Sequence, residues 1–141
     1  MKIKITRIDE SLPLPEYKTE GAVAFDFYSR VDAVLAPREK KLLPSNFIIE
    51  VPAGHVLIVA ARSGTPKKGI MLANSIGLID QDYHGPKDEI GIWAWNFTDA
   101  PIEIKRGDRI AQGLIVPITR AEFEEVTQIK ESSRGGFGTT G

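Results

Sequence analysis

The sequence predicts an all-β fold of the sandwich or jelly-roll type. Short apolar runs recur at roughly ten-residue spacing, the pattern of strands joined by tight turns. Thirteen glycines and nine prolines break the 141-residue chain between those runs, and almost no stretch carries a helical period. A chain of this length suits one domain and can bury roughly two-thirds of the surface that it exposes when unfolded.

Residues 2–8 alternate, with Ile3 and Ile5 on one side, as a half-buried strand does. Leu12-Pro13-Leu14-Pro15 is extended, because each proline also bars the residue before it from the helical region. Residues 22–28 are small and aromatic around a lone acid, Asp26. Residues 31–35, 47–51 and 56–61 read as short strands, separated by Pro37, by Pro44 and by the turn Pro52-Ala53-Gly54. Residues 76–79 form an apolar run that enters a turn closed by Gly85. Residues 90–97 alternate around Trp93 and Trp95, and 102–104 and 114–118 repeat the pattern on either side of the turn Gly107-Asp108. One short helix fits residues 63–69, with Pro66 early and Gly69 at the exit, and a second helical turn is expected at 121–126. The glycine-rich tail lacks apolar bulk and should move unless something docks it, so the chain divides into a body, 1–130, and an arm, 131–141.

Composition excludes several functions. The net charge of −1 gives no basic footprint for nucleic acid. No cysteine is present for a disulfide frame or thiolate metal site, and two histidines, His55 and His84, are too few for a His-rich zinc site. The longest apolar run, 56–61, is far short of a membrane span, and the N-terminus lacks the core of a secretion signal, so a soluble cytoplasmic protein is expected.

The stretch most loaded with chemistry is Gly77-Leu78-Ile79-Asp80-Gln81-Asp82-Tyr83-His84-Gly85. Asp80 stands inside an apolar run, where a charge is costly without a partner or a task. Tyr83 follows three residues later, and acid, ring and turn together make a floor for a small polar ligand. The plain alternative is a β-hairpin with a solvated acid. Arg62-Ser63-Gly64 ends a strand and opens the short helix, where free N–H groups and the cations suit an anion; a capping Ser beside a surface Arg is the simpler reading. Ile70-Met71 replaces the Lys and Ser/Thr of a Walker A loop, so a P-loop is rejected. The tail formally fits the dinucleotide-binding glycine pattern, but no helix follows it. Its glycines can instead lie close to phosphates, with Phe137 stacking on a base and Arg134 or Thr139 on charged oxygens. Gln112 at a strand end can orient a water or a phosphate oxygen, and Asp26 can meet a divalent cation through water. Arg30, Lys40, Lys41, Lys67 and Lys68 read as solvated charges.

In order, five segments resemble the five motifs of the trimeric dUTPases: 23–29 (VAFDFYS), 61–68 (ARSGTPKK), 74–85 (NSIGLIDQDYHG), 107–112 (GDRIAQ) and 134–141 (RGGFGTTG). The resemblance implies a jelly-roll homotrimer whose shared sites hydrolyse Mg-dUTP to dUMP and pyrophosphate by water attack on the α-phosphorus. It implies that Asp80 activates the water and that Tyr83 packs on the deoxyribose and excludes a 2′-OH. Asn74 and the main chain near Gly77, Ile79 and Gly91 would pair with uracil. Arg62, Ser63, Gly64 and Gln112 would hold the phosphates, Asp26 would meet Mg²⁺ through a water, and Phe137 would close over the base. Arg134, Gly138 and Thr139 would serve the γ-phosphate. The chain departs from the family pattern at Val23-Ala24, at His84, at Gly113, in the extra hairpin residues Pro86-Lys87-Asp88, and where Arg134 directly precedes Gly135-Gly136. Two alternatives remain: a dCTP deaminase-like enzyme, which Asp82-Tyr83 argues against, and a noncatalytic nucleotide-binding jelly roll.

Overall fold

The computed structural model describes residues 1–136 and 138. Eleven strands among these residues are joined by tight turns: β1 (Ile5–Arg7), β2 (Phe25–Tyr28), β3 (Ala33–Leu35), β4 (Lys40–Pro44), β5 (Phe47–Ile49), β6 (His55–Ala60), β7 (Ile70–Leu72), β8 (Gly77–Ile79), β9 (Gly91–Asn96), β10 (Ile102–Ile104) and β11 (Arg109–Pro117). Every pairing is antiparallel. The strands form a four-stranded sheet β2-β11-β6-β8, a three-stranded sheet β4-β9-β7, and the two-stranded pairs β1-β5 and β10-β3. All-β architecture is thus as expected. Among the described residues no helix is long and apolar enough to cross a membrane.

One core lies between the sheets, with Phe27, Leu35, Phe47 and Leu57 fully buried and Leu43 and Ile92 nearly so. Alternation explains its composition. On β2, Phe25 and Phe27 face inward while Asp26 points the other way, and on β6 Leu57 and Val59 face inward while Val56, Ile58 and Ala60 do not.

The short helix is a single 3₁₀ turn, Pro66–Lys68, with proline at its start. It ends at Gly69 (φ 80°), a left-handed position at which a Cβ would stand 2.5 Å from Thr98 Cγ2. No helical turn forms at 121–126. From residue 118 the chain continues without regular structure, and Phe123 and Ile129 are each 95% exposed, so nothing within this chain rewards a helix there. Three strands were not anticipated: β2, whose run was read only as small and aromatic around Asp26, β4 and β7. β4 reads Lys-Lys-Leu-Leu-Pro, and its lysines are not simply solvated: Lys41 Nζ donates to Val34 O (2.7 Å), and Lys40 Nζ sits 5.8 Å from the centroid of the Trp95 ring. β7, Ile-Met-Leu, follows Gly69 too closely to show a period of its own.

Candidate active site

Sheet register builds the first part of the site. Asp26 on β2 lies across from Gln112 on β11, and Gln112 lies across from Ala60, the last residue of β6. Directly opposed residues share a face, so the acid and the carboxamide project together where residues 61–64 leave the sheet. Arg62 Nε donates to Asp26 Oδ1 (2.6 Å) and Arg109 Nη1 to Asp26 Oδ2 (3.2 Å). Gln112 Nε2 donates to Ala61 O (2.9 Å) and ties the loop to β11. Asp26 is 8% exposed, and two guanidiniums compensate its charge.

Arg109 is a site residue that sequence reasoning misses. It stands three positions from Gln112, so in a regular strand the two would face opposite sides. A bulge between Arg109 and Ala111 turns Arg109 onto the face of Asp26. Arg62, Gly64, Thr65, Lys68 and Arg109 line a small cavity of about 70 Å³. The expected helix N-terminus contributes little, since a three-residue 3₁₀ turn has almost no dipole, and its capping residue is Thr65 rather than Ser63. Guanidiniums and loop N–H groups carry the positive charge, with Ser63 exposed beside them.

The second part lies at the β8 edge of the same sheet, against β7 and β9. Asn74, Gly77, Ile79 and Gly91 line one cleft of about 150 Å³ together with Val59, Leu72 and Trp93. Four residues expected at one base pocket are therefore neighbours. Trp93, 44% exposed, is a cleft residue that the sequence shows only as part of a strand; its outward position in that alternating strand was the available signal. Val59 and Gly77 reach this cleft from the core face and Leu78 from the other, so it sits at the β8 edge of the sheet, while the grip lies between β2, β11 and the end of β6.

The third part is the turn after β8. Tyr83 N–H donates to Asp80 O (3.3 Å), which closes a four-residue turn. Gln81 Nε2 donates to His55 O (2.9 Å), and the Tyr83 hydroxyl donates to Glu89 O (3.2 Å). Asp80 is exposed, not buried in the apolar run, so no burial cost falls on it. It borders a cleft shared with His55, Val56, Asp82, Ile118 and Arg120. Since Ile79 pairs with Leu57 and Gln112 with Ala60, the register leaves roughly 16 Å between the backbones of Asp80 and Gln112. One chain does not bring its acid to its own grip.

The hairpin that carries this turn is anchored at its far end. Arg30 was expected to be a solvated charge; instead its guanidinium grips Glu89 with two bonds of 2.9 and 2.8 Å, and the Asn46 N–H donates to the same carboxylate (2.8 Å). Burial pushes the Glu89 carboxyl up, but the bonds from Arg30 and Asn46 outweigh it and hold Glu89 below the usual carboxylate range. Of the tail residues, Arg134 and Gly138 are exposed, while Phe137 and Thr139 lie outside the described residues. No cluster of three acidic or histidine side chains suited to a metal exists among the described residues, and both Asp26 oxygens are engaged. That donor set fits an ion that arrives on a ligand and keeps its waters better than one held directly by protein.

Comparisons with known proteins identify the family and the fold. The dUTPase family model matches residues 10–141. The deoxyuridine 5′-triphosphate nucleotidohydrolase of Dictyoglomus turgidum is 41% identical over 148 residues, covering 100% of this chain and 99% of the relative. That of Zymomonas mobilis is 40% identical, covering 100% of this chain and 98% of the relative. Among solved structures, the dUTPase of Staphylococcus bacteriophage 80alpha with dUPNHPP superposes with a TM-score of 0.87 at 25% identity, over 99% of this chain and 98% of the other. A mutant dUTPase of phage phi11, described with a structural Mg(II) ion, has a TM-score of 0.81 at 25% identity, over 91% of this chain and 98% of the other. The deaminase-like and noncatalytic alternatives gain nothing from these relatives. With its fold, its ordered motifs and full-length relatives in agreement, the chain belongs to the dUTPase family.

Proposed function

We propose that this chain hydrolyses dUTP to dUMP and pyrophosphate at sites shared between the copies of a homotrimer. One observation carries the shared site: the register within one chain holds Asp80 far from Gln112, from Asp26 opposite it and from the Arg62 that Asp26 binds. A second copy supplies the missing half. Residues 121–135 support the same reading, since all are exposed and Phe123 and Ile129 are bare, as an arm reaching towards a neighbour would be. Residues 131–141 form the part of that arm that closes over a neighbouring site.

In this reading the cleft of Asn74, Gly77, Ile79 and Gly91 takes uracil through main-chain groups and the Asn74 amide. Tyr83 lies under the deoxyribose and leaves no room for a 2′-OH. Arg62, Ser63, Gly64 and Gln112 of the partner copy hold the phosphates, and Arg134, Phe137, Gly138 and Thr139 close the site. Asp80 orients a water towards the α-phosphorus and takes its proton. Its carboxylate is exposed, so a water can approach it from solvent. Mg²⁺ bound to the triphosphate neutralises charge as the pyrophosphate leaves, and Asp26 touches it through a water. Asp26 also holds Arg62 and Arg109 at fixed positions, so the grip is organised before substrate arrives.

Subunit complementation tests the shared site. Asp80→Asn and Arg62→Ala proteins, each inactive, are mixed under conditions that exchange subunits, with release of pyrophosphate from dUTP as the readout. Recovered activity is expected, because mixed trimers contain some intact sites. Exchange without recovery would place both residues in one chain's site and overturn the proposal. A parallel panel of dUTP, dCTP, dTTP and UTP, with and without Mg²⁺, reads base, sugar and metal dependence. Ammonia release from dCTP would restore the deaminase reading.

A further inference from the structure

We infer that Arg30 and Glu89 form a latch that fixes the Tyr83 ring and thereby sets how strongly the site rejects a ribonucleotide. The inference rests on the reading of Tyr83 as the surface beneath the sugar. Tyr83 is 41% exposed, so packing covers only part of the side chain and its hydroxyl bond helps to fix the tilt of the ring. That hydroxyl donates to the main-chain oxygen of Glu89 at 3.2 Å. An acceptor is only as well placed as the residue that carries it, and residue 89 is held by its own side chain. Arg30 Nε and Nη2 bond its two carboxylate oxygens at 2.9 and 2.8 Å, the two-point geometry that fixes direction as well as distance.

Both ends of that pair are rooted. The Arg30 N–H donates to Pro44 O (2.9 Å), and Ile90, the next residue after Glu89, donates to Phe47 O (2.9 Å). Glu89 also accepts from the N–H of Asn46, a fully buried residue whose side chain bonds both main-chain groups of Asp9. The extra hairpin residues do not disturb this. Asp88 Oδ2 accepts from the Gly85 N–H (2.7 Å), and the Asp88 N–H returns to Gly85 O (3.0 Å), so the insertion closes on itself before Glu89. A small difference in ring height is felt at a 2′-OH because a ribose oxygen needs only one atom's width of space. Steric exclusion of that kind is steep in distance, unlike the graded loss of a solvent-exposed contact.

The test measures kcat/KM for dUTP and for UTP in four single variants: Tyr83→Phe, Arg30→Gln, Glu89→Gln and Tyr83→Ala. Tyr83→Phe removes one oxygen and keeps the ring, so its fold is not at risk. Tyr83→Phe and Arg30→Gln are each expected to reduce the preference for dUTP over UTP by about fivefold, the size of one neutral hydrogen bond, with assembly size unchanged. Glu89→Gln keeps one acceptor for Arg30 and should fall between these and the parent. Arg30→Lys, with charge but no fork, should recover part of the loss seen in Arg30→Gln. Tyr83→Ala should collapse the preference. If Tyr83→Ala collapses it while Tyr83→Phe and Arg30→Gln leave it intact, the ring alone suffices and the latch is overturned. If Tyr83→Ala leaves it intact, the placement of Tyr83 beneath the sugar fails, and the latch fails with it.

Discussion

The grip around Asp26 and the turn around Asp80 are built in opposite ways. Register between β2, β11 and β6 sets the grip, and its acid is 8% exposed and bonded by two guanidiniums. The turn after β8 is exposed and hangs on two side-chain bonds to main-chain oxygens, from Gln81 to His55 and from Tyr83 to Glu89. A group whose task is to hold charge in place gains from burial and from partners. In the proposed reaction, a group that takes a proton from water gains from having neither, since both would stabilise one protonation state or block the approach.

Substitutions sharpen that contrast in descending order of effect. Asp80→Asn should lower kcat by about 10²–10⁴-fold with dUTP affinity and melting temperature close to those of the parent, measured by steady-state kinetics and thermal unfolding. A large loss of stability would mean that the turn is structural after all. Asp26→Asn should act the other way, costing about 2 kcal/mol of stability in denaturant titration as well as raising KM. That figure is smaller than for a fully buried pair because Arg109 is 44% exposed and can turn to water. Gly113→Ala, next to Gln112, probes how tightly the sheet beneath the grip is packed. Its Cβ would lie 2.5 Å from Phe27 Cε2, so about 1–2 kcal/mol of stability should be lost, with kcat reduced less than in either acid variant. An unchanged melting temperature would show that Phe27 moves freely and that the grip tolerates it.

Much of this was legible in the chain, for definite reasons. Strands with alternating residues, such as β9 around Trp93 and Trp95, show themselves locally, and so does the proline-to-glycine turn that ends at Gly69. That Asn74, Gly77, Ile79 and Gly91 share a cleft was legible because they fall within one motif and the next strand. What stayed hidden depends on partners distant in sequence. Arg30 looks like any surface cation until Glu89, 59 positions later, is folded against it, and Arg109 meets Asp26 across 83 positions. β4 was hidden by its two lysines and its proline, which suit an edge strand but read as a loop. The turn at 121–126 was expected from local composition, but that segment finds no packing surface within this chain.

The bulge between Arg109 and Ala111 has an evolutionary corollary. Losing or gaining one residue there would exchange inside for outside along the rest of β11, burying Gln112 and exposing its apolar neighbours. Length is therefore frozen in that strand, whereas the self-closed loop at 85–88 can grow or shrink between lineages. Insertions that distinguish one member of this family from another should accumulate in such loops and be absent from the strand that bears the carboxamide.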